Sequence, residues 1–323
     1  MGDRAADKRA FLARLRLTSA QVSVLKQDAS SRSYDRVTTE DGDSLVLMDV
    51  GQEGLASLDR FSRIGGHLID IGLSAPRVLE RDDTAGLALI EDFGNQRFAD
   101  VPSDEGTLYG LAIDVLTHLQ TAAPLSDLPI CDVAHLAELA ATAWDWYGDS
   151  EDRAHVVGLI HNLADAIDLT PSCMILRDYH AENLMWLPHQ PGLKRAGLLD
   201  FQDAMLGHPA FDVVSLLQDA RRDVQVAFED EFCARFMAAT GATPDLFQES
   251  YAALGAIRNL RILGVFARLA KQSGRTEYLQ FCPRVWRYLQ RDLSHPALSE
   301  LKELVQRTLP EPTETHLKKM AQP

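Results

Sequence analysis

Apolar positions change their rhythm several times along this chain, and each change marks a boundary. Residues 5 to 16 set Phe11, Leu12 and Leu15 among arginines and lysines, the spacing of a short amphipathic helix. Two strand-like runs follow, Ser33 to Thr38 and Leu45 to Val50, around Glu-Asp-Gly-Asp, a hairpin signal. Leu55, Leu58, Phe61, Ile64, Leu68 and Ile71 then recur at helical spacing, and Gly72 supplies the stop. Pro76 opens an extended piece over residues 77–80, and Leu87-Ala-Leu-Ile runs as an apolar strand into Glu91, Asp92, Phe93 and Gly94. From about residue 104 the period becomes helical: Leu108, Leu111, Ala112, Val115, Leu116 and Leu119 share one face. Residues 133–147 form a second helix ending in Ala-Trp-Asp-Trp-Tyr, and Val156, Leu159, Ile160, Leu163 and Ile167 a third. The aromatic group Trp144, Trp146 and Tyr147 reads as packing rather than as a platform for a ring substrate.

Strand rhythm returns once inside this helical stretch. Met174 to Leu176 is a short apolar run; Leu184-Met185-Trp186 and Leu198-Leu199 read as a hairpin turning over residues 188–192. Helical spacing resumes with Val224, Phe228, Phe232 and Phe236, then from Thr243-Pro244-Asp245, with Pro at the first helical position, through Tyr251, Leu254, Ile257, Leu260, Leu263 and Leu269. Arg258, Arg261 and Arg268 interleave with this stripe; the expectation is a solvated polar face, with one arginine on a substrate carboxylate as the alternative. Residues 296–307 form a last amphipathic helix, and the polar, proline-bearing tail over 310–323 is expected to lack fixed structure. The pattern predicts an α/β (α+β) chain with a small β-rich part over residues 1–92 and a large helical part over 93–309.

The returning strands carry the chemistry. Asp178 lies five residues before Asn183, Asp200 closes the second strand of the hairpin, and Asp212 opens the next apolar run. Such residues are the polar kit of kinase-type phosphoryl transfer. One carboxylate must accept the acceptor hydroxyl's proton, while an amide oxygen and a second carboxylate hold Mg²⁺, which takes hard oxygen ligands. Asp-x4-Asn alone is common by chance. The hairpin, which carries Asn183 and Asp200 to one place, raises its weight. Upstream, Asp28-Ala-Ser-Ser-Arg-Ser-Tyr is either a polar hairpin turn or a phosphate-facing loop.

These motifs resemble the aminoglycoside phosphotransferase family, whose fold is protein-kinase-like and two-lobed. Within it, Leu-Asp-Phe-Gln-Asp-Ala followed by Gly-x-Pro-x-x-Asp-x-x-Ser-Leu-Leu is similar to the bacterial kinases that phosphorylate N-acetylmuramate and N-acetylglucosamine at the anomeric hydroxyl in cell-wall recycling. The resemblance implies a two-lobed fold, Asp178 as catalytic base, Asn183 and Asp200 as Mg²⁺ ligands, and Asp212 as a brace for the loop. It implies ATP as phosphoryl donor, with Ser30, Ser31 and Arg32 at the phosphates, Met48 on the strand that faces them, and Glu91, Asp92 and Phe93 at the adenine-binding hinge. An amino sugar is the implied acceptor; an aminoglycoside, choline or fructosamine, or a catalytically silent nucleotide-binding scaffold, are the alternatives. Two positions depart from the family. Leu176 replaces the usual loop histidine, which puts loop rigidity in question. Met48 replaces the strand lysine, a charge that matters close to phosphates, and Arg32 or Arg36 is the expected substitute.

Composition narrows the partners. With 323 residues, 46% of them hydrophobic, the chain can bury a full core, and its net charge of −15 argues against nucleic acid or an anionic membrane as partner. The four cysteines form no Cys-x-x-Cys pair and are expected to be reduced and buried. The first residues are charged and no apolar run approaches a membrane span, so the expectation is a soluble, cytoplasmic protein, monomeric by default.

Overall fold

The computed structural model describes residues 4–25, 32–101 and 105–322. Elements are numbered along the chain. Strands β1 (Gln21–Val24), β2 (Ser33–Thr38), β3 (Ser44–Asp49), β4 (Val78–Asp82) and β5 (Leu87–Glu91) form an antiparallel sheet in the order β1-β2-β3-β5-β4. Two short antiparallel ladders join β6 (Cys173–Ile175) to β9 (Met205–Gly207), and β7 (Leu184–Trp186) to β8 (Ala196–Leu198). The chain divides into two compact units: Met1–Ser103 with Ala181–Asp203, here the β-rich unit, and Asp104–His180 with Ala204–Pro323, the helical unit.

In the β-rich unit the predicted hairpin turns where Gly42 takes a positive φ of 88° and the Thr39 N–H donates to Asp43 O at 2.8 Å. Helix α1 (Arg4–Arg14) lays Phe11 and Leu12 on Val37, Leu47, Leu87 and Leu89. Burying two such side chains stabilises by roughly 1.5–3 kcal/mol each. The sheet also holds α1 by charge: Arg4 pairs with Asp49, and Lys8 Nζ lies 2.7 Å from Asp35. Helix α2 (Leu55–Asp70) buries Leu58, Phe61, Ile64 and Leu68, the stripe that the spacing predicts. The β7–β8 hairpin belongs to this unit. The Leu198 N–H donates to Ser74 O at 2.8 Å, and the Phe98 N–H to Leu184 O at 2.7 Å.

The helical unit contains α3 (Glu105–Thr121), α4 (Val133–Trp146), α5 (Arg153–Ala166), α6 (Ala210–Leu217), α7 (Val226–Thr240), α8 (Pro244–Ser273), α9 (Cys282–Asp292), α10 (Ser299–Thr308) and α11 (Glu314–Met320). Helix α8 is its axis: 30 residues long, started by Pro244 and stopped at Gly274. It approaches α4 so closely that a Cβ on Gly264 would sit 2.2 Å from Thr142 O. Trp144 is wholly buried and its indole N–H donates to Thr308 Oγ1 at 3.0 Å, which supports the packing role expected of the aromatic group. The four cysteines are free, three of them buried.

Two expectations are overturned. The tail folds: Thr313 Oγ1 accepts the His316 N–H at 3.3 Å as an N-cap, His316 meets the Tyr147 ring edge-on at 5.2 Å, and Met320 is buried. A cap and one apolar anchor suffice there, too little apolar content to register in the pattern. The second correction concerns α8. Arg258 is 7% exposed and Arg261 only partly exposed, so of the three arginines only Arg268 lies on a solvated face.

Candidate active site

The loop after β6 is braced from below. Asp212, buried in the first turn of α6, accepts the Leu176 N–H at 2.5 Å and the Arg177 N–H at 2.8 Å. Burial drives its carboxyl up to about 6, against the pull of those two N–H groups. Arg177 sits in the left-handed region at φ 71°, a conformation that costs a non-glycine residue roughly 1–2 kcal/mol. The strain is held by three anchors: the bonds to Asp212, the Ser215 hydroxyl donating to Arg177 O at 3.1 Å, and Tyr179, whose hydroxyl donates to Ala112 O at 2.8 Å. Leu176 is 3% exposed and fills its place by contact with the core, so these anchors, rather than a histidine, fix the loop.

Asp178 leaves this braced loop among cations of α8. Arg258 Nη2 donates to Ser215 Oγ at 2.9 Å, which ties α8 to the loop carbonyl through one hydroxyl. Burial lowers the pKa of both Arg258 and Arg261, and Asp178 is the foremost opposing charge on each. His135, near the start of α4, is held below its ordinary pKa by burial first, then by Arg177 and Arg261. His135 was not among the expected site residues, and Arg258 and Arg261 entered only in the alternative that puts one arginine of this helix on a substrate carboxylate. A long helix with several buried faces hides such positions from a one-stripe reading.

The β-rich unit holds Asn183 and Asp200. Asn183 ends a short 3₁₀ turn (Ala181–Asn183), and its carbonyl accepts the Leu199 N–H at 3.0 Å; Leu184 and Leu198 are register partners. The hairpin therefore brings the two residues to the same end of the ladder. Asp200 adopts φ 55°, with its side chain 47% exposed. Phe201 behind it is fully buried and stacks on Phe61 of α2, ring centroids 4.9 Å apart. Gly65 leaves it room, since a Cβ there would stand 3.1 Å from Phe201 Cζ. Gln202 Nε2 donates to Asp200 Oδ1 at 2.8 Å, and Arg32 Nη1 lies 3.6 Å from the same oxygen. A half-exposed carboxylate with an asparagine at the same end of the hairpin fits a small hard cation such as Mg²⁺, which is held by one or two carboxylates plus phosphate oxygens. Asp178 belongs to the helical unit, Asn183 and Asp200 to the other.

Ser30 and Ser31 lie outside the described residues. Met48 is 1% exposed in the centre of β3, paired with Tyr34 and Ala88. Arg36 is committed elsewhere: its Nε and Nη2 donate to Asp92 at 2.5 and 3.0 Å, and its Nη1 to Asn95 Oδ1 at 2.6 Å. Burial alone would raise the Asp92 carboxyl; the hydrogen bonds from Arg36, Ser44 and the Gly94 N–H outweigh it and hold the group below its ordinary value. The Glu91 N–H donates to Arg77 O at 3.0 Å. Glu91, Asp92 and Phe93 line a cleft of about 640 Å³ with Trp186, His189 and Lys194. Phe93 lies on Gly197 of β8, where a Cβ would stand 2.6 Å from Phe93 Cδ2.

A braced aspartate, and an Asn–Asp pair set by a hairpin, are residue types that phosphoryl transfer uses. The model of the phosphotransferase enzyme family matches residues 21–249. The chain belongs to this family. It is similar to the N-acetylmuramate/N-acetylglucosamine kinase of Caulobacter vibrioides, 36% identical over 95% of this chain and 97% of that one. The protein of the same name from Pseudomonas aeruginosa is 31% identical, over 88% of each chain. Among solved structures, a choline kinase from Streptococcus pneumoniae superposes with a TM-score of 0.60 at 15% identity, covering 92% of this chain and 99% of the other. An aminoglycoside 2'-phosphotransferase bound to GDP does so with 0.61 at 15%, covering 90% and 99%. At that identity the structures speak for the fold alone, and it is the protein-kinase-like fold that the motifs implied. This phosphotransferase is an enzyme of the kinase type. Among its described residues no helix is long and apolar enough to cross a membrane.

Proposed function

We propose that this phosphotransferase moves the γ-phosphoryl group of ATP to the anomeric hydroxyl of an amino sugar, N-acetylmuramate or N-acetylglucosamine, as a step in cell-wall sugar recycling. The observation that carries the acceptor is the near full-length likeness to a kinase of that name, 36% identical over 95% of this chain. The helical unit supports it from another side. Choline and aminoglycosides are cations, and the solved neighbours include kinases named for them. Here Arg258 and Arg261 face Asp178, with Asp219 as a further carboxylate at Arg258, and these arginines favour a neutral or acidic acceptor over a cation.

In this reading Asp178 accepts the proton of the acceptor hydroxyl. The freed oxygen bonds to the γ-phosphorus, and the bond from that phosphorus to the β–γ bridging oxygen breaks, leaving ADP. Asn183 and Asp200 would hold Mg²⁺, which, when bound, offsets charge on the phosphate oxygens. Gln202 keeps Asp200 oriented, and Asp212 keeps Asp178 on a fixed loop. Arg32, beside Asp200, takes over the charge that a strand lysine supplies in other kinases, because Arg36 is already bound to Asp92.

Incubation with MgATP and, separately, N-acetylmuramate, N-acetylglucosamine, kanamycin or choline, followed by phosphorus NMR, tests the proposal. A sugar 1-phosphate is the expected product. Phosphorylation of kanamycin or choline alone, or of a sugar at another oxygen, overturns it.

A further inference from the structure

We propose that Arg261 is a specificity residue: its guanidinium takes the carboxylate of an acidic acceptor sugar, so that the enzyme prefers N-acetylmuramate to N-acetylglucosamine. The inference rests on the amino-sugar reading above and adds to it the origin of acceptor preference. Arg258 and Arg261 are three residues apart on α8 and so share a face of the helix. Their situations differ. Arg258 is satisfied inside the protein, donating to Ser215 Oγ at 2.9 Å and Gln218 O at 3.4 Å. Through Ser215 it fixes this face of α8 against the catalytic loop. Arg261, one turn further on, makes no hydrogen bond and no ion pair among the described residues, although it is only partly exposed. Asp178 is its chief opposite charge, and Arg177 its chief like charge.

A guanidinium withdrawn from water without partners is unfavourable, by far more than a neutral amide in the same place. A ligand that completes its hydrogen bonds removes that penalty. His135 adds a second incomplete group to the same neighbourhood. It feels both Arg177 and Arg261, and its Nε2 is buried with no hydrogen-bond partner. A carboxylate answers this set: two coplanar oxygens match the fork of an arginine, with lone pairs left for a neighbouring donor. N-acetylmuramate differs from N-acetylglucosamine by a lactyl ether bearing one carboxylate. The group that separates the two sugars is thus the group that Arg261 lacks. The oxygens of the transferring phosphoryl group are the other anion within this chemistry, and the test separates the two.

The experiment measures kcat and KM for both sugars in the wild type, Arg261→Gln and Arg261→Lys. The expected result is a fall of about tenfold or more in the N-acetylmuramate to N-acetylglucosamine ratio of kcat/KM for Arg261→Gln, carried by KM, one lost charge-assisted pair. Arg261→Lys restores part of the ratio. Equal losses of kcat for both sugars would instead mark a role toward the phosphoryl group and overturn the proposal, as would an unchanged ratio. The methyl ester of N-acetylmuramate gives an arm that needs no variant. The wild type is expected to show a KM for the ester about tenfold above that for the acid, and equal values overturn the proposal. Turnover of neither sugar brings down the amino-sugar reading itself, an outcome distinct from the failure of Arg261 alone.

Discussion

At Asp178 one proton is at stake. Replacing it by Asn leaves the loop intact, since Asp212 bonds the backbone of Leu176 and Arg177 and not this side chain. Asp178→Asn is therefore expected to keep its fold and nucleotide affinity and to lose roughly 10²- to 10⁴-fold in kcat, the range for a missing general base. Steady-state kinetics beside a thermal melt check both halves. Arg32 and Arg36 make a paired prediction. Arg32→Ala is expected to raise the KM for ATP about tenfold with little change in stability. Arg36→Ala strips Asp92 of its two guanidinium bonds and is expected to lose about 1.5–3 kcal/mol of stability, the range for bonds to a charged group, with a smaller effect on KM. The reverse assignment would show that the charge missing at Met48 comes from Arg36. The loop that carries Asp178 and the hairpin that brings Asn183 and Asp200 to one end were legible, because kinase-type chemistry asks for these residue types at short spacing. The burial of Arg258 was not, because charge on a long helix normally means solvent, and nothing local tells that Ser215 of α6 meets this face. Gln202 had a signal, its place in Leu-Asp-Phe-Gln-Asp-Ala, but only the structure gives its partner, Asp200.

Helices whose apolar residues keep one period, such as α2 and α3, could be read from the sequence within a residue or two of their ends. Two of the elements that escaped show why. Helix α9 buries Val285, Tyr288 and Leu289 amid arginines, so its stripe is thin, and α11 depends on a cap and Met320. The approach of α4 to α8 was equally invisible, because it is written in one absent side chain. A Cβ on Gly264 would meet the Thr142 carbonyl oxygen at 2.2 Å and carbon at 2.4 Å, and backbone cannot step aside as a flexible side chain does. Gly264→Ala is thus expected to destabilise the helical unit by about 1–3 kcal/mol or more, despite the better helix propensity of alanine. Urea denaturation followed by tryptophan fluorescence reads the change through Trp144 of α4. A neutral or stabilising outcome would mean that the two helices lie further apart than described.

The whole molecule carries a net charge of −15 and also hides carboxyls inside its helical unit. The pH dependence of stability follows from how these combine. Asp292 is buried, and burial drives its carboxyl up to about 8, with hydrogen bonds from Gln218 and Asn259 opposing the rise. Asp212 is pushed the same way, to about 6. For both, the folded chain binds the proton more tightly than the unfolded one. Their contribution is complete below the ordinary aspartate value of 3.8 and is lost as pH climbs, through about 6 for Asp212 and about 8 for Asp292. Asp92 has the opposite sign: hydrogen bonds hold it below 3.8, so its contribution is present above that value and disappears as pH falls through its lowered one. Self-repulsion between surplus carboxylates also eases as pH falls. The three effects leave a maximum of stability on the acid side of neutrality, at about pH 5, and a Tm at pH 8 below that maximum. Asp292→Asn isolates the largest contributor. It keeps the shape and removes the charge, so it is expected to change little at pH 4 and to raise the Tm at pH 8. A gain on the order of 1 kcal/mol would move Tm by about 2–4 °C in a unit of this size. Melting curves of the wild type and Asp292→Asn from pH 4 to 9 give both slopes. A wild-type Tm that climbs steadily from pH 5 to 8, or a variant that parallels it, would mean that Asp292 is ionised in the folded protein at low cost.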